Sequence, residues 1–177
     1  MIPASLMARL ASMAIAVMAL SCAATQLTGR VVGVHDGDTV TVLDANRVQH
    51  KIRLAGIDAP ELKQAFGTRS RQNLAGMVFG KDVLVEWNKR DRYGRTVGVV
   101  LVGGHDANLE QIRSGMAWWY RQYAREQTPN DRQLYELAEN EARAAKHGLW
   151  ADAAPVPPWE WRHRKQRHQP PIDATIL

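Results

Sequence analysis

The feature that most constrains this chain is a period-two alternation of Val, Ile and Thr between Arg30 and Ile57. Three segments carry it, "RVVGVHD", "TVTVLD" and "VQHKIRLAGI", and the Gly-Asp pair and the "DANR" stretch between them are typical of tight turns. Such alternation places one face of each strand on a core and the other toward solvent. The pattern therefore predicts a meander of three antiparallel strands.

Helices and strands are also predicted for the rest of the chain. The segment "FGTRSRQNLAGMVFG" predicts a helix that ends near Gly80, and "KDVLVEW" and "TVGVVLV" predict two more strands. A short helix is predicted for "ANLEQIRSG", with Asp106 or Asn108 as its N-cap, and a last helix from about Asp131 to His147. The apolar face of this last helix is predicted to comprise Leu134, Leu137, Ala138, Ala142 and Ala145.

Five strands and three helices predict an α+β fold built on a small barrel. A five-stranded barrel with oligonucleotide-binding (OB) topology is the natural candidate, because closure of the sheet removes the unpaired edges of its strands. The domain is assigned to residues 28–150.

Both ends of the chain differ in composition from this domain. Arg9 precedes the apolar run "LASMAIAVMAL" and the small residues "SCAAT", which predicts an export signal over residues 1–23 and a periplasmic or secreted protein. An uncleaved anchor and a buried helix are the alternatives for this segment, and a lipid anchor at Cys22 is a further possibility. Residues 151–177 are rich in Pro, Trp and basic residues and predict a tail. This tail either folds back on the domain or contacts nucleic acid or the cell envelope.

The net charge and the cysteine content narrow the class of protein. The formal net charge of +5 favours partners that carry phosphate or other anionic groups, without identifying one. Cys22 is the only cysteine, so the predicted domain has no disulfide and depends on its core for stability.

Four carboxylates lie where the predicted strands end. Asp36 and Asp38 lie in the first turn, and Asp58 and Glu61 follow the third strand. Each alone is ordinary turn chemistry. Because antiparallel neighbours alternate in direction, however, the first turn and the end of the third strand meet at one end of the sheet, and Asp38 and Asp58 are expected to face each other.

Two facing carboxylates need a compensating cation. At about 4 Å they repel by roughly 1–4 kcal/mol, depending on the local dielectric. Carboxylate and backbone carbonyl oxygens, with water in the remaining positions, suit Ca²⁺, which takes about six to eight oxygen ligands. The sequence therefore predicts a hard-cation site at this end of the sheet.

Two arginines extend the predicted site. Arg53 lies in the third strand, and Arg95 closes the turn "DRYGR", which taken alone is typical of a solvated charged turn. Hydrolysis of a phosphodiester requires a cation, bidentate donors for the charge on the phosphoryl oxygens, and a base that orients or deprotonates water. Glu61 is the carboxylate left over for the last role.

The segments "DGDTV", "IRLAGIDAPE" and "DRYGR", in this order and at these spacings, resemble the three motifs of the staphylococcal nuclease (thermonuclease) family. The resemblance extends from about Thr28 to Trp150. It implies an OB-fold barrel with three helices. It also implies a Ca²⁺-dependent nuclease that acts on RNA and on single- and double-stranded DNA, cutting the P–O5′ bond to leave 3′-phosphates. A monomer without an obligate protein partner is expected.

The resemblance also implies a role for each matched residue. Asp38, Asp58 and the main-chain carbonyl of Ala59 would ligate the metal, Glu61 would be the general base, and Arg53 and Arg95 would be the phosphate and transition-state donors. Asp36 resembles an acid behind the metal ligands, Tyr93 resembles a tyrosine that contacts substrate phosphate, and Tyr120 and Tyr123 are candidates for base stacking. A non-catalytic OB-type nucleic-acid-binding module and a structural envelope protein are the alternative functions.

Overall fold

A computed structural model describes residues 25–167, apart from the side chains at positions 165 and 166. The predicted export signal, Cys22 and the residues after 167 lie outside this range. The strands of the described range are β1 (Thr25–Val34), β2 (Thr39–Leu43), β3 (Gln49–Leu54), β4 (Ile57–Asp58), β5 (Asp82–Arg90), β6 (Thr96–Val102), β7 (His105–Asp106) and β8 (Trp118–Trp119). Its α-helices are α1 (Gly67–Val78), α2 (Ala107–Arg113), α3 (Pro129–Ala144) and α4 (Pro158–Arg167), with 3₁₀-helices at Arg121–Glu126 and Gly148–Ala151. No helix among the described residues is long and apolar enough to cross a bilayer.

Five long strands close into a barrel. Their order is β3-β2-β1-β5-β6, and β6 pairs back onto β3 in parallel, with Arg53 opposite Val97. The inward positions alternate along each strand as the sequence predicts, with Val40, Val42 and Ile52 fully buried. The predicted α+β fold with a five-stranded OB barrel is confirmed, and β4, β7 and β8 are short additions to it.

Helices α1 and α2 support the turn that carries Asp36 and Asp38. Gln111 of α2 is fully buried, and its Nε2 donates to the carbonyls of Gly37 (2.7 Å) and Ser70 (3.2 Å). Gly37 has no room for a side chain, because a Cβ there would collide with the side chain of Ser70. The turn is therefore fixed by the buried side-chain amide of Gln111 and by the close contact between Gly37 and Ser70 of α1.

The segment after Asp58 is held by α1 in a similar way. A Cβ on Gly67, the first residue of α1, would collide with the carbonyl group of Glu61. Only glycine permits this approach, so the start of α1 fixes the backbone of Glu61.

The apolar face predicted for the last helix is partly wrong. Helix α3 begins at Pro129, after the N-cap Thr128, and buries Tyr135 and Glu139, while Leu134 and Leu137 are 37% and 52% exposed. Two polar contacts account for this rotation. The Tyr135 hydroxyl donates to Asp106 Oδ2 (2.7 Å), and the Glu139 carboxylate accepts from the backbone N–H of Trp119 (3.1 Å).

The part of the predicted tail that the structure describes is folded. Residues 158–167 form α4, which sequence patterning did not predict, and Trp159 packs edge-on against Trp118 at 5.6 Å between ring centroids. Gln64 also donates to the carbonyl of Val156. The chain therefore returns to the barrel after α3.

Replacing Gln111 by Leu should destabilise the protein and loosen the turn at Asp36 and Asp38. The carbonyls of Gly37 and Ser70 would lose a buried donor, at a cost of about 1–3 kcal/mol in the free energy of unfolding. Urea denaturation measures the effect. Glu110→Gln, which changes the exposed neighbour of Gln111, should leave stability within about 0.5 kcal/mol of wild type. Equal stability of the two variants would contradict the role assigned to Gln111.

Candidate active site

One cleft, with a volume of about 820 Å³, lies at the end of the barrel where β2 begins and β3 ends. All the site residues predicted from the sequence line it: Asp36, Asp38, Arg53, Asp58, Ala59, Glu61, Tyr93, Arg95, Tyr120 and Tyr123. The first turn, the end of the third strand and the "DRYGR" turn therefore do meet at one end of the sheet.

The centre of the cleft is a pair of buried aspartates bridged by an arginine. Asp38 and Asp58 are 6% and 1% exposed. Arg53 Nη2 lies 3.2 Å from Asp38 Oδ2 and 2.9 Å from Asp58 Oδ1. The antiparallel register places Arg53 opposite Thr39, the residue after Asp38, so the β2–β3 pairing itself brings these groups together.

Burial sets the electrostatics of this pair. Desolvation raises the pKa of Asp38 to about 6, although Arg53 and the backbone N–H of Ala59 act in the opposite direction. Burial also raises the pKa of Asp58, against the stabilising effect of Arg162 and Arg53 on its ionised form. Both carboxyls therefore require positive charge nearby to remain ionised in the folded state.

The donor set fits a hard cation. Asp38 and Asp58 offer carboxylate oxygens, and Pro60 restricts the preceding Ala59 to extended geometry, which limits the directions of its carbonyl. No group of three or more His, Cys, Asp or Glu side chains among residues 25–167 has metal-binding geometry. A cation here would therefore be held by two carboxylates, a carbonyl and water, a set that suits Ca²⁺ better than Zn²⁺.

Asp36 lies beside this pair and shapes the turn. Its Oδ1 accepts the backbone N–H of Asp38 at 3.0 Å, so the carboxylate fixes the direction in which Asp38 points. This contact places Asp36 behind the aspartate pair.

Glu61 has an unforeseen partner. Arg162 of α4 donates from Nη1 to Glu61 Oε1 (2.9 Å) and from Nη2 to Asp58 Oδ2 (2.7 Å). Sequence reasoning missed Arg162, because it follows Asp58 by 104 positions and lies in a segment predicted to be a tail. The only local signal is its place within a basic run.

Arg95 lines the cleft from the "DRYGR" turn. Its Nε donates to Asp91 Oδ2 at 2.7 Å, and its guanidinium lies 5.5 Å from the ring centroid of Tyr93. Within the described part of the chain, its terminal nitrogens form no hydrogen bond. Asp91 thus orients Arg95 through Nε and leaves the two-pronged end of the guanidinium toward the cleft's solvent.

The three predicted aromatic residues differ in their surroundings. Tyr93 is 68% exposed, whereas Tyr120 stacks on Trp159 with an interplanar angle of 4° and a centroid distance of 5.5 Å. Tyr123 packs edge-on against Tyr120 at 4.8 Å, and Lys89 lies above its ring. The cleft is therefore bordered on one side by an aromatic group that includes a residue of α4.

The staphylococcal nuclease homologue family model matches residues 51–152, more than half of the chain. The chain belongs to the staphylococcal nuclease family. The matched range contains Arg53, Asp58 and Glu61 together with the "DRYGR" turn, whereas Asp36 and Asp38 precede it.

Bacterial proteins of this family resemble the chain over most of their length. An uncharacterised endonuclease of Escherichia coli O157:H7 is 48% identical over 138 residues, which are 77% of this chain and 86% of that protein. A micrococcal nuclease of Shigella flexneri is 47% identical over 143 residues, 76% of this chain and 79% of that protein. Protein ParB of Escherichia coli is 41% identical over 169 residues, 90% of this chain and 93% of that protein.

Replacing Asp38 by Asn should change how stability depends on pH. The folded protein binds the Asp38 proton more tightly than the unfolded chain does, because burial raises the pKa to about 6. The free energy of unfolding should therefore fall relative to that of Asp38→Asn as the pH rises from about 4 through 6, by up to about 3 kcal/mol. Urea denaturation in EDTA across this pH range measures the difference.

Asp82→Asn is the matched control, because Asp82 is an exposed carboxylate whose pKa is lowered by Arg30. The free energy of unfolding of Asp82→Asn should still fall between about pH 4 and 6. In Asp38→Asn the part of this fall that is due to Asp38 should be absent. If the free energies of unfolding of wild type and Asp38→Asn depend on pH in the same way, ionisation of Asp38 does not destabilise the folded state.

Proposed function

We propose that the chain is a Ca²⁺-dependent nuclease that hydrolyses DNA and RNA at the P–O5′ bond and leaves 3′-phosphates. The observation that carries the proposal is the buried Asp38–Asp58 pair, which shares one cleft with Glu61, Arg53 and Arg95. This cleft would supply a cation site, a base and two arginine donors.

Membership of the staphylococcal nuclease family makes the chain a hydrolase that acts on the ester bonds of nucleic acid. The relatives named as endonuclease and as micrococcal nuclease agree with this class of reaction. The choice of Ca²⁺, the bond that is cut and the roles of individual residues are our proposal.

The cation would be held by Asp38, Asp58 and the carbonyl of Ala59. When bound, it would polarise a phosphoryl oxygen and neutralise part of the charge that develops in the transition state. Its +2 charge would also compensate the two buried carboxylates, whose pKa values are raised in its absence.

The chain's own residues supply the remaining functions. The Glu61 carboxylate would orient a water molecule and accept its proton. Arg53 and Arg95 would donate to the non-bridging oxygens of the scissile phosphate, and the planar guanidinium suits this bidentate contact. Arg95 is suited to this because Asp91 engages only its Nε.

The rest of the cleft would bind the substrate strand. Tyr93 is exposed at its rim and would contact a phosphate, while Tyr120 and Tyr123 would border the bases. The positive net charge would add sequence-independent affinity that falls with salt. Contacts of this kind read the backbone, so single- and double-stranded DNA and RNA are all expected substrates. We propose that the protein acts as a monomer.

Export remains a proposal of the same kind. Residues 1–23 would act as the signal, and the enzyme would work in the periplasm or outside the cell, either free or attached to lipid through Cys22. Ca²⁺ is a suitable cofactor in such a compartment, because extracellular calcium-binding modules have Kd values of about 10⁻⁴–10⁻³ M.

Cleavage of single-stranded DNA should require Ca²⁺ and should leave 3′-phosphate ends. The purified protein is incubated with end-labelled DNA in Ca²⁺ or in EDTA. The 3′ ends of the products are then tested for a phosphate group that phosphatase can remove. Products in Ca²⁺ alone, with 3′-phosphates, are expected. DNA that is bound but uncut under both conditions would indicate the non-catalytic binding module instead.

Arg53→Ala and Arg95→Ala should each lower kcat at least as much as Glu61→Gln, by about 100-fold or more. Glutamine still accepts a hydrogen bond from water, whereas alanine leaves the phosphoryl charge without a donor. Arg95→Lys should not restore activity, because an ammonium lacks the two-pronged geometry. Arg113→Ala, an exposed arginine that pairs with Glu110, is the control. A Glu61→Gln variant much less active than either alanine variant would reverse this ranking.

A further inference from the structure

Helix α4 brings a further arginine, Arg162, into the cleft. Arg162 Nη2 lies 2.7 Å from Asp58 Oδ2, and Nη1 lies 3.3 Å from Asp58 Oδ1 and 2.9 Å from Glu61 Oε1. One guanidinium therefore donates hydrogen bonds to both oxygens of Asp58 and also to Glu61. Such two-pronged, charge-assisted contacts are among the strongest and most directional in proteins.

The position of Arg162 does not depend on these ion pairs alone. Trp159, one helical turn earlier, stacks on Tyr120 and packs edge-on against Trp118. The backbone before α4 is tied to the loop after Glu61, where Gln64 donates to the carbonyl of Val156. Aromatic packing thus docks the helix, and docking delivers Arg162 to the carboxylates.

Glu61 needs such a partner. Its side chain is 42% exposed and follows β4 in a loop, and α1 restrains only its backbone through Gly67. Among the described residues, Arg162 is the only polar partner of the Glu61 carboxylate. Without it, a glutamate side chain with three rotatable bonds would sample several rotamers.

The charges in the cleft are consistent with this arrangement. The carboxylates of Asp38, Asp58 and Glu61 form ion pairs with two guanidinium groups, those of Arg53 and Arg162. Among the described residues, Asp58 Oδ2 accepts one hydrogen bond, from Arg162, which leaves a lone pair for a cation. Arg162 therefore engages the aspartate without using all of its acceptor capacity.

We propose that Arg162 is a positioning residue of the active site, which α4 supplies to hold the Glu61 carboxylate beside Asp58. The inference rests on the proposed role of Glu61 in orienting water. It makes α4 part of the catalytic unit. It also gives the "PPWEWR" segment a function, in which Trp159 anchors the helix and Arg162 contacts the carboxylates.

The test is a double-mutant cycle between Arg162 and Glu61. Arg162→Gln should lower kcat on single-stranded DNA at saturating Ca²⁺ by about tenfold to a hundredfold, with KM changed by less than about threefold, because misplaced catalytic groups cost rate rather than binding. Arg162→Lys should recover only part of this loss, since it keeps the charge without the fork. In a Glu61→Gln background, Arg162→Gln should cause no further loss beyond about twofold.

Arg164→Gln is the matched control, because it removes the same charge from the same helix at a residue paired with Glu160. Hydrogen exchange without cation gives a second readout. The amides of Ala59 and of residues 61–66 should exchange faster in Arg162→Gln than in wild type and Arg164→Gln. Circular dichroism then establishes that Arg162→Gln retains the fold, as the aromatic anchoring of α4 predicts.

Three results would overturn the inference. Unchanged kcat in Arg162→Gln would make the contact incidental, and increased kcat would mean that α4 obstructs the cleft. Losses that multiply in the double variant would mean that Arg162 acts independently of Glu61. Wild-type activity of Glu61→Gln alone, by contrast, would refute the proposed role of Glu61, and a protein inactive with every cation would refute the proposed function.

Discussion

The guanidinium of Arg53 is the group on which the site depends. It bridges Asp38 and Asp58, and its Nη1 also donates to the carbonyls of Leu54 and Ile57, which flank the turn between β3 and β4. Two carboxylates that are almost fully buried would otherwise repel each other in a medium of low dielectric. Arg53 thus compensates the charge of the two aspartates at this end of the barrel, and the same side chain is the one proposed to bind phosphate.

Barrel closure brings the rest of the cleft to Arg53. The parallel pairing of β3 with β6 sets Arg53 opposite Val97, so the turn before β6 carries Arg95 to the same end of the barrel. Helices α1 and α2 hold the backbone through Gly37, Gly67 and Gln111. The backbone that carries Asp38 and Glu61 is therefore fixed by packing, and such preorganisation is what the proposed catalysis requires.

Whether a contact could be predicted from the sequence depends on how far apart its residues lie along the chain. Strand alternation and turn residues predicted the barrel and the meeting of Asp38 with Asp58, because β2 and β3 are adjacent in sequence and pair as a hairpin. Helical periodicity predicted α3 but not the face that it buries. The carboxylate of Glu139 accepts hydrogen bonds from Arg121 and from a backbone N–H, so this charged residue can be buried. Arg162 was missed because its contacts join distant parts of the chain through the stacking of Trp159, which no spacing rule describes.

The docking of α4 also has a consequence for the order in which the protein is made. A ribosome produces the turn with Asp38 well before Arg162, so a growing chain presents its acidic cluster before the arginine of α4 exists. The wall formed by Trp159 and Arg162 can close on the cleft only after α4 has been synthesised. Completion of the cleft is therefore coupled to the synthesis of α4.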